Sequence, residues 1–152
     1  MCIQNPVHAQ NVQKDKARAR MLVKKSKKQI ENKEYDLALK STHEAYTLIH
    51  QHTGDRNVNT AILMVEMGGI YLLKEDHDMA QQWIERGLKV QRWGLGNEHP
   101  LVGQSVALLG KVYIEQKKYD SAEQALLEAE AIFQKKYPIK HATRRGNFKL
   151  MA

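Results

Sequence analysis

A chain of 152 residues, 42% hydrophobic and 27% charged, has the length of one domain or a short repeat array and is too apolar for wholesale disorder. Nine Gly and three Pro supply too few turn signals for an all-β sandwich, and a single Cys leaves no internal disulfide framework. The net charge of +7 attracts nucleic acid, an anionic surface or an acidic partner alike, so it selects none of them.

In chain order, residues 1–10 read as a disordered start. MCIQNPVHAQN is mostly polar and lacks the apolar core of a secretory leader. No apolar run approaches the ~18 residues of a membrane span, position 2 is not Gly, and the end KLMA carries no prenylation or retention signal. A cytoplasmic protein is expected, with the nucleus as the alternative.

A first helix is predicted from about Asn11 to Glu31, then a turn at Asn32-Lys33 and a second helix to His52. Lys14, Lys16, Arg18, Arg20, Lys24, Lys25, Lys27 and Lys28 make the first helix strongly basic against a single acidic residue, Asp15. Residues 58–73 set Ile62, Val65, Met67, Ile70, Leu72 and Leu73 on helical spacing. After the turn Lys74-Glu75-Asp76, another helix carries Ala80, Trp83, Ile84, Gly87, Leu88 and Val90. A third pair is predicted from Leu101 to Gln116 and from Tyr119 to about Tyr137, separated by Lys117-Lys118. Pro100 suits the first turn of its helix, where a missing N–H costs nothing. Residues 139–152 are basic, poorly patterned, and expected to be disordered.

These pairs recur with a period of 42 residues. Gly68 meets Gly110, Tyr71 meets Tyr113, Asp78 meets Asp120 and Ala80 meets Ala122, while apolar positions agree in kind: Met64 with Val106, Ile70 with Val112, Ile84 with Leu126. One step earlier, Ser26 stands in the glycine position and Ala38 precedes Ala80 and Ala122. Small residues at these places let two helices of a hairpin approach closely. Tyr71 and Tyr113 lie one turn on, placed to cover the next hairpin.

The pattern Gly68-Tyr71-Ala80-Gly87 and Gly110-Tyr113-Ala122-Ala129 resembles the tetratricopeptide (TPR) repeat, with copies at about 12–53, 54–95 and 96–137 of a domain spanning 11–138. The 42-residue spacing and the linker Gly96-Asn97-Glu98-His99-Pro100 are similar to the longer repeats of kinesin light chains. Departures are Gln29 at the Tyr position, Asp55-Arg56-Asn57-Val58 in place of the His-Pro linker, and the lack of a heptad coiled coil. The resemblance implies an all-α fold: a right-handed α-solenoid of three stacked antiparallel hairpins whose first helices line a concave face. Its register directs Arg20, Val23, Lys24 and Lys27 of the first copy into that face, with Ile62, Val65, Gly69 and Leu73 of the second and Gln104, Lys111 and Glu115 of the third. The face is then basic at its N-terminal end and apolar in the middle. It suits a protein or peptide with an acidic segment and a hydrophobic centre, and the expected function is a non-catalytic adaptor or scaffold.

Other features point to structure. His50-Gln51-His52 ends a helix with diverging rings, and no HExxH or paired-Cys spacing occurs, so neither metal nor cofactor is expected. His99 reads as a linker and cap residue, Trp83 as interhelical packing, and Trp93 as a plug between the second and third hairpins. There is no glycine-rich phosphate loop or nucleophile elbow. A capping helix is not evident after Pro138, so Leu126, Leu127, Ile132 and Phe133 cannot all be covered, and weak self-association through that end is expected. Two alternatives stand beside the adaptor: a nucleic-acid-associated or nuclear protein presenting basic ends, which no aromatic platform accompanies, and a repeat fragment without an independent role.

Overall fold

The computed structural model describes residues 5–138, which form six α-helices and nothing else regular. They are α1 (Pro6–Glu31), α2 (Tyr35–Thr53), α3 (Val58–Leu73), α4 (His77–Leu95), α5 (Pro100–Glu115) and α6 (Tyr119–Lys136). Successive helices pair as antiparallel hairpins, α1 with α2, α3 with α4 and α5 with α6, and the hairpins stack through α2 on α3 and α4 on α5.

The period seen in the residues is also a period of the backbone. Lys33, Glu75 and Lys117 close the three hairpins in the left-handed region, at φ 61°, 62° and 60°. Such a conformation costs an L-residue ~1–2 kcal/mol. The cost is offset because the next residue's N–H reaches the carbonyl of the residue four before the turn: Glu34 to Gln29 at 2.8 Å, Asp76 to Tyr71 at 3.0 Å, Lys118 to Tyr113 at 2.8 Å. Gly54 and Gly96 make the junctions between hairpins at φ 70° and 85°, where a glycine carries no Cβ penalty. Asn57 and His99, also one period apart, cap the helices that follow: Asn57 Oδ1 accepts from Asn59 N at 2.8 Å and His99 Nδ1 from Leu101 N at 3.1 Å.

The first helix departs from expectation. It starts at Pro6, not near Asn11, and is 26 residues long against 16 for α3 and α5. Residues 6–10 are therefore helical, a correction to the disordered start. Asn5 caps the helix, its Oδ1 accepting from Val7 N at 3.2 Å, and Pro6 fills the first turn. The added turns, Pro6 to Gln10, escape a search for a buried apolar stripe because all five residues are exposed, Val7 among them. They meet α2 through His8, whose ring lies edge-on to that of His52 at 6.1 Å, and His52 Nε2 lies 2.8 Å from the Asp15 carboxylate. Residues 1–4 and the basic tail 139–152, both expected to be disordered, lie outside the described residues.

Packing inside the hairpins follows the small residues. Gly68 sits against Ala80 and Ile84, Gly110 against Leu126 and Ala125. The first hairpin solves the same crossing with polar atoms. Ser26 Oγ lies 2.7 Å from Thr42 Oγ1 and donates to the Ala38 carbonyl at 3.1 Å, while Ser41 Oγ donates to Gln29 Oε1 at 2.8 Å. All four side chains are buried, so each needs its partner. Between the second and third hairpins, buried Ser105 Oγ donates to buried Gln91 Oε1 at 2.6 Å.

Two aromatic expectations need correcting. Trp93 plugs no gap: it is 71% exposed. Tyr113 reaches back to the preceding hairpin, donating to Glu85 of α4 at 3.1 Å, rather than forward. Trp83 does pack between helices, edge-on to Tyr46 of α2 at 5.9 Å and beneath the Arg86 guanidinium.

Candidate functional site

The first helices α1, α3 and α5 jointly line a cleft of about 480 Å³. From α1 come Val23 and Lys27, one turn apart on the face turned towards α3. From α3 come Glu66, Gly69 and Leu73, at helical spacings of three and four. From α5 come Leu108 and Lys111. Gly69 keeps the floor low: the nearest atom to a methyl placed there would be Leu108 Cδ2, at 3.6 Å. The lining is mainly carbon, with Lys27 at one side and Lys111 at the other. A smaller recess of about 350 Å³ adjoins it, sharing Leu73 and Lys111 and adding Glu115.

Five residues assigned by register, Val23, Lys27, Gly69, Leu73 and Lys111, are thus brought into one cleft, with Glu115 beside it. Arg20, Lys24 and Gln104 are exposed on their helices without lining either recess. Ile62 and Val65 are half-buried, and Val65 turns to its own hairpin, where its Cγ2 would meet a Cβ on Gly87 at 2.7 Å.

Glu66 modifies the expected charge pattern. Burial pushes its carboxyl above the ordinary carboxylate range, and the Lys27 ammonium pulls in the opposite direction without prevailing. The middle of the cleft is therefore apolar with one reluctant anion, not simply apolar. Glu66 and Leu108 follow Lys24 by one and two periods, so extending the register from Lys24 would have found both.

On the opposite side of the stack, Asp55 at the first junction gathers Arg86 Nη2 at 2.9 Å, His50 Nε2 at 3.0 Å and the Tyr46 hydroxyl at 3.4 Å. Local desolvation pushes its carboxyl up, but Arg86 and His50 outweigh that and hold it below its usual value. This cluster joins α2, the junction and α4. Among the described residues no three His, Cys, Asp or Glu side chains converge as a metal site would require, and no helix is long and apolar enough to cross a membrane.

No family profile matches the chain, and no curated protein matches it either. Solved structures do. BtubC (BKLC) from P. vanneervenii superposes with a TM-score of 0.72 at 21% identity, covering 80% of this chain and 49% of that one. The nearly identical TPR-like repeats of a kinesin light chain candidate from Podosopora anserina give 0.66 at 18% identity, covering 79% and 57%. The chain spans about half the length of each. At this level of identity the likeness speaks for the fold, and it shows an all-α stack of TPR-like antiparallel hairpins.

Proposed function

We propose that this chain is a non-catalytic interaction adaptor that holds a peptide segment of a protein partner against its three first helices. The observation that carries this is the convergence of Val23, Lys27, Gly69, Leu73, Leu108 and Lys111, drawn from all three hairpins, on one apolar cleft flanked by two ammonium groups. A leucine-sized side chain fits over Gly69, and carboxylates on either side of it meet Lys27 and Lys111. Glu66 opposes a carboxylate at the centre, so the preferred segment is acidic at its ends and apolar or hydrogen-bond-donating in its middle. Exposed Arg20 and Lys24 extend the positive field along α1 and favour an acidic N- or C-terminal extension of the ligand.

The test uses fluorescently labelled peptides with an apolar centre and either acidic or neutral flanks. The acidic-flanked peptide is expected to bind more tightly, and joint charge reversal of Lys24, Lys27 and Lys111 to Glu should weaken it roughly tenfold or more, at ~1.4 kcal/mol per decade. Equal affinity for wild type and variant, with both folded by circular dichroism, rejects the cleft as the binding surface. Nucleic-acid binding is the contrasting result, recognised by a steep loss of affinity with salt. An exposed apolar strip on α5 and α6 supports a second contact, independent of the cleft, with a second copy or with the following segment of the chain.

A further inference from the structure

The middle hairpin breaks the repeat at two places on one face of α3. Lys27 of α1 and Lys111 of α5 stand two periods apart, and the position midway between them is Gly69. Lys24 and Leu108 bracket Glu66 in the same way, one helical turn earlier. Both exceptions line the cleft that the two lysines flank. A lysine is thus replaced by open space, and beside that space stands an anion. The Glu66 carboxylate enters no hydrogen bond or salt bridge among the described residues, and Lys27 attracts it only from a distance. Half-buried beside Val23, Leu73 and Leu108, it has neither full solvent nor a fixed partner. Such a charge costs stability until a donor is brought to it.

We propose that the cleft takes a protein segment carrying a lysine or arginine between two acidic residues, and that Glu66 is the residue that selects the cation. This rests on the reading of the cleft as a peptide-binding surface and narrows it. From α1 through α3 to α5 the charges of the cleft run positive, negative, positive, so the complementary segment runs negative, positive, negative. The aliphatic stem of the central side chain lies over Gly69, between Leu73 and Leu108. Its charged head reaches Glu66 one turn away, ~4.5 Å along the helix axis. A purely aliphatic side chain in that place would strip water from the carboxylate and return no donor, the costlier outcome. A central acid is repelled by Glu66 itself. Packed helices lie ~8–10 Å apart, so acids that meet both lysines stand roughly four to six residues apart in an extended segment.

The test measures fluorescence anisotropy of three labelled peptides titrated with the full chain. They share acidic residues about five positions apart and differ only at the middle residue: lysine, norleucine (which keeps the stem and lacks the ammonium) or glutamate. The lysine peptide is expected to bind roughly tenfold or more tighter than the norleucine peptide, with glutamate weakest. In Glu66→Gln, a near-isosteric change, the preference for lysine should shrink to about twofold or less while norleucine binds at least as well as before. Norleucine bound as tightly as lysine by the wild type overturns the inference and leaves the cleft standing as a binding surface. A lysine preference that survives Glu66→Gln also overturns it, because the cation then has another partner. Failure of all three peptides to bind rejects the peptide-binding cleft itself, and the role of Glu66 falls with it.

Discussion

Gly68 and Ile84 approach so closely that a Cβ added to residue 68 would lie 2.5 Å from Ile84 Cγ1 and 3.0 Å from the Ala80 carbonyl oxygen. Backbone on one side and a fully buried side chain on the other leave nothing free to yield. Gly68→Ala is therefore expected to destabilise the chain by about 1–2 kcal/mol, overpacking outweighing the ~1 kcal/mol gain in helix propensity. Gly69→Ala, one residue on, meets only an ordinary contact and should stabilise by about 0.5–1 kcal/mol. Urea denaturation of the two variants checks both signs at once.

The Ser105–Gln91 hydrogen bond joins two hairpins through side chains that are both buried, beside an apolar core. Ser105→Ala leaves the Gln91 carbonyl oxygen buried without its donor, at an expected cost of about 1–3 kcal/mol. Replacing both, Ser105→Ala with Gln91→Leu, should recover most of the loss because no polar group is then stranded. A double-mutant cycle that shows simple additivity would contradict this.

The two perturbed carboxylates make opposite predictions for acid. Glu66 has its folded-state pKa raised, so at neutral pH its charge opposes folding, and that penalty fades as pH falls through the folded value. Glu66→Gln should melt at a higher temperature than wild type at pH 7, with the gap closing towards pH 4. Asp55 has its folded-state pKa lowered, so its contribution is present above the unfolded value and is lost as pH falls through the folded one. Asp55→Asn should melt lower than wild type at pH 7, and that gap too should close in acid. Melting curves from pH 3 to pH 7 separate the signs.

The cleft also predicts steric control of binding. Gly69→Leu projects an aliphatic side chain from the floor between Lys27 and Lys111, and should block an acidic-flanked peptide while leaving the helical signal unchanged. The expected loss in affinity is roughly tenfold or more, the value of one well-filled apolar contact at ~1.5–3 kcal/mol. Retained affinity would place the ligand elsewhere on the stack.

The stack was legible in the sequence because close helix crossings restrict residue size, and Gly68, Gly110, Ala80 and Ala122 record that restriction at fixed intervals. α3 begins and ends where the apolar spacing places it, at Val58 and Leu73. The opening turns of α1 carry the same cap-and-proline start at Asn5-Pro6 as α5 does at His99-Pro100, but they precede the first repeat and add no buried apolar stripe, so the period did not reach them. The face of a helix was harder to read than its existence. Val23, Lys27, Gly69, Leu73 and Lys111 fell in the cleft, whereas Val65, assigned by the same register, turned to Gly87. Trp93 misled by its size. Its counterparts one period away, Gln51 and Lys135, are surface residues, and position outweighed hydrophobicity.

The backbone returns to the same state at Gly54 and Gly96, and the edge contacts return with it: Lys74 pairs with Asp36, and Gln116 Nε2 donates to Asp78 at 3.1 Å, each joining the turn after one first helix to the start of the second helix in the hairpin before. Excising 54–95 would splice Thr53 onto Gly96 and hand Asp36 the partner that Asp78 now holds. The edge contacts therefore pass from module to module unchanged in kind, whereas the junction contacts are individual: Asp55 with Tyr46, His50 and Arg86 belongs to the first junction, and a shortened chain would have to rebuild that one joint.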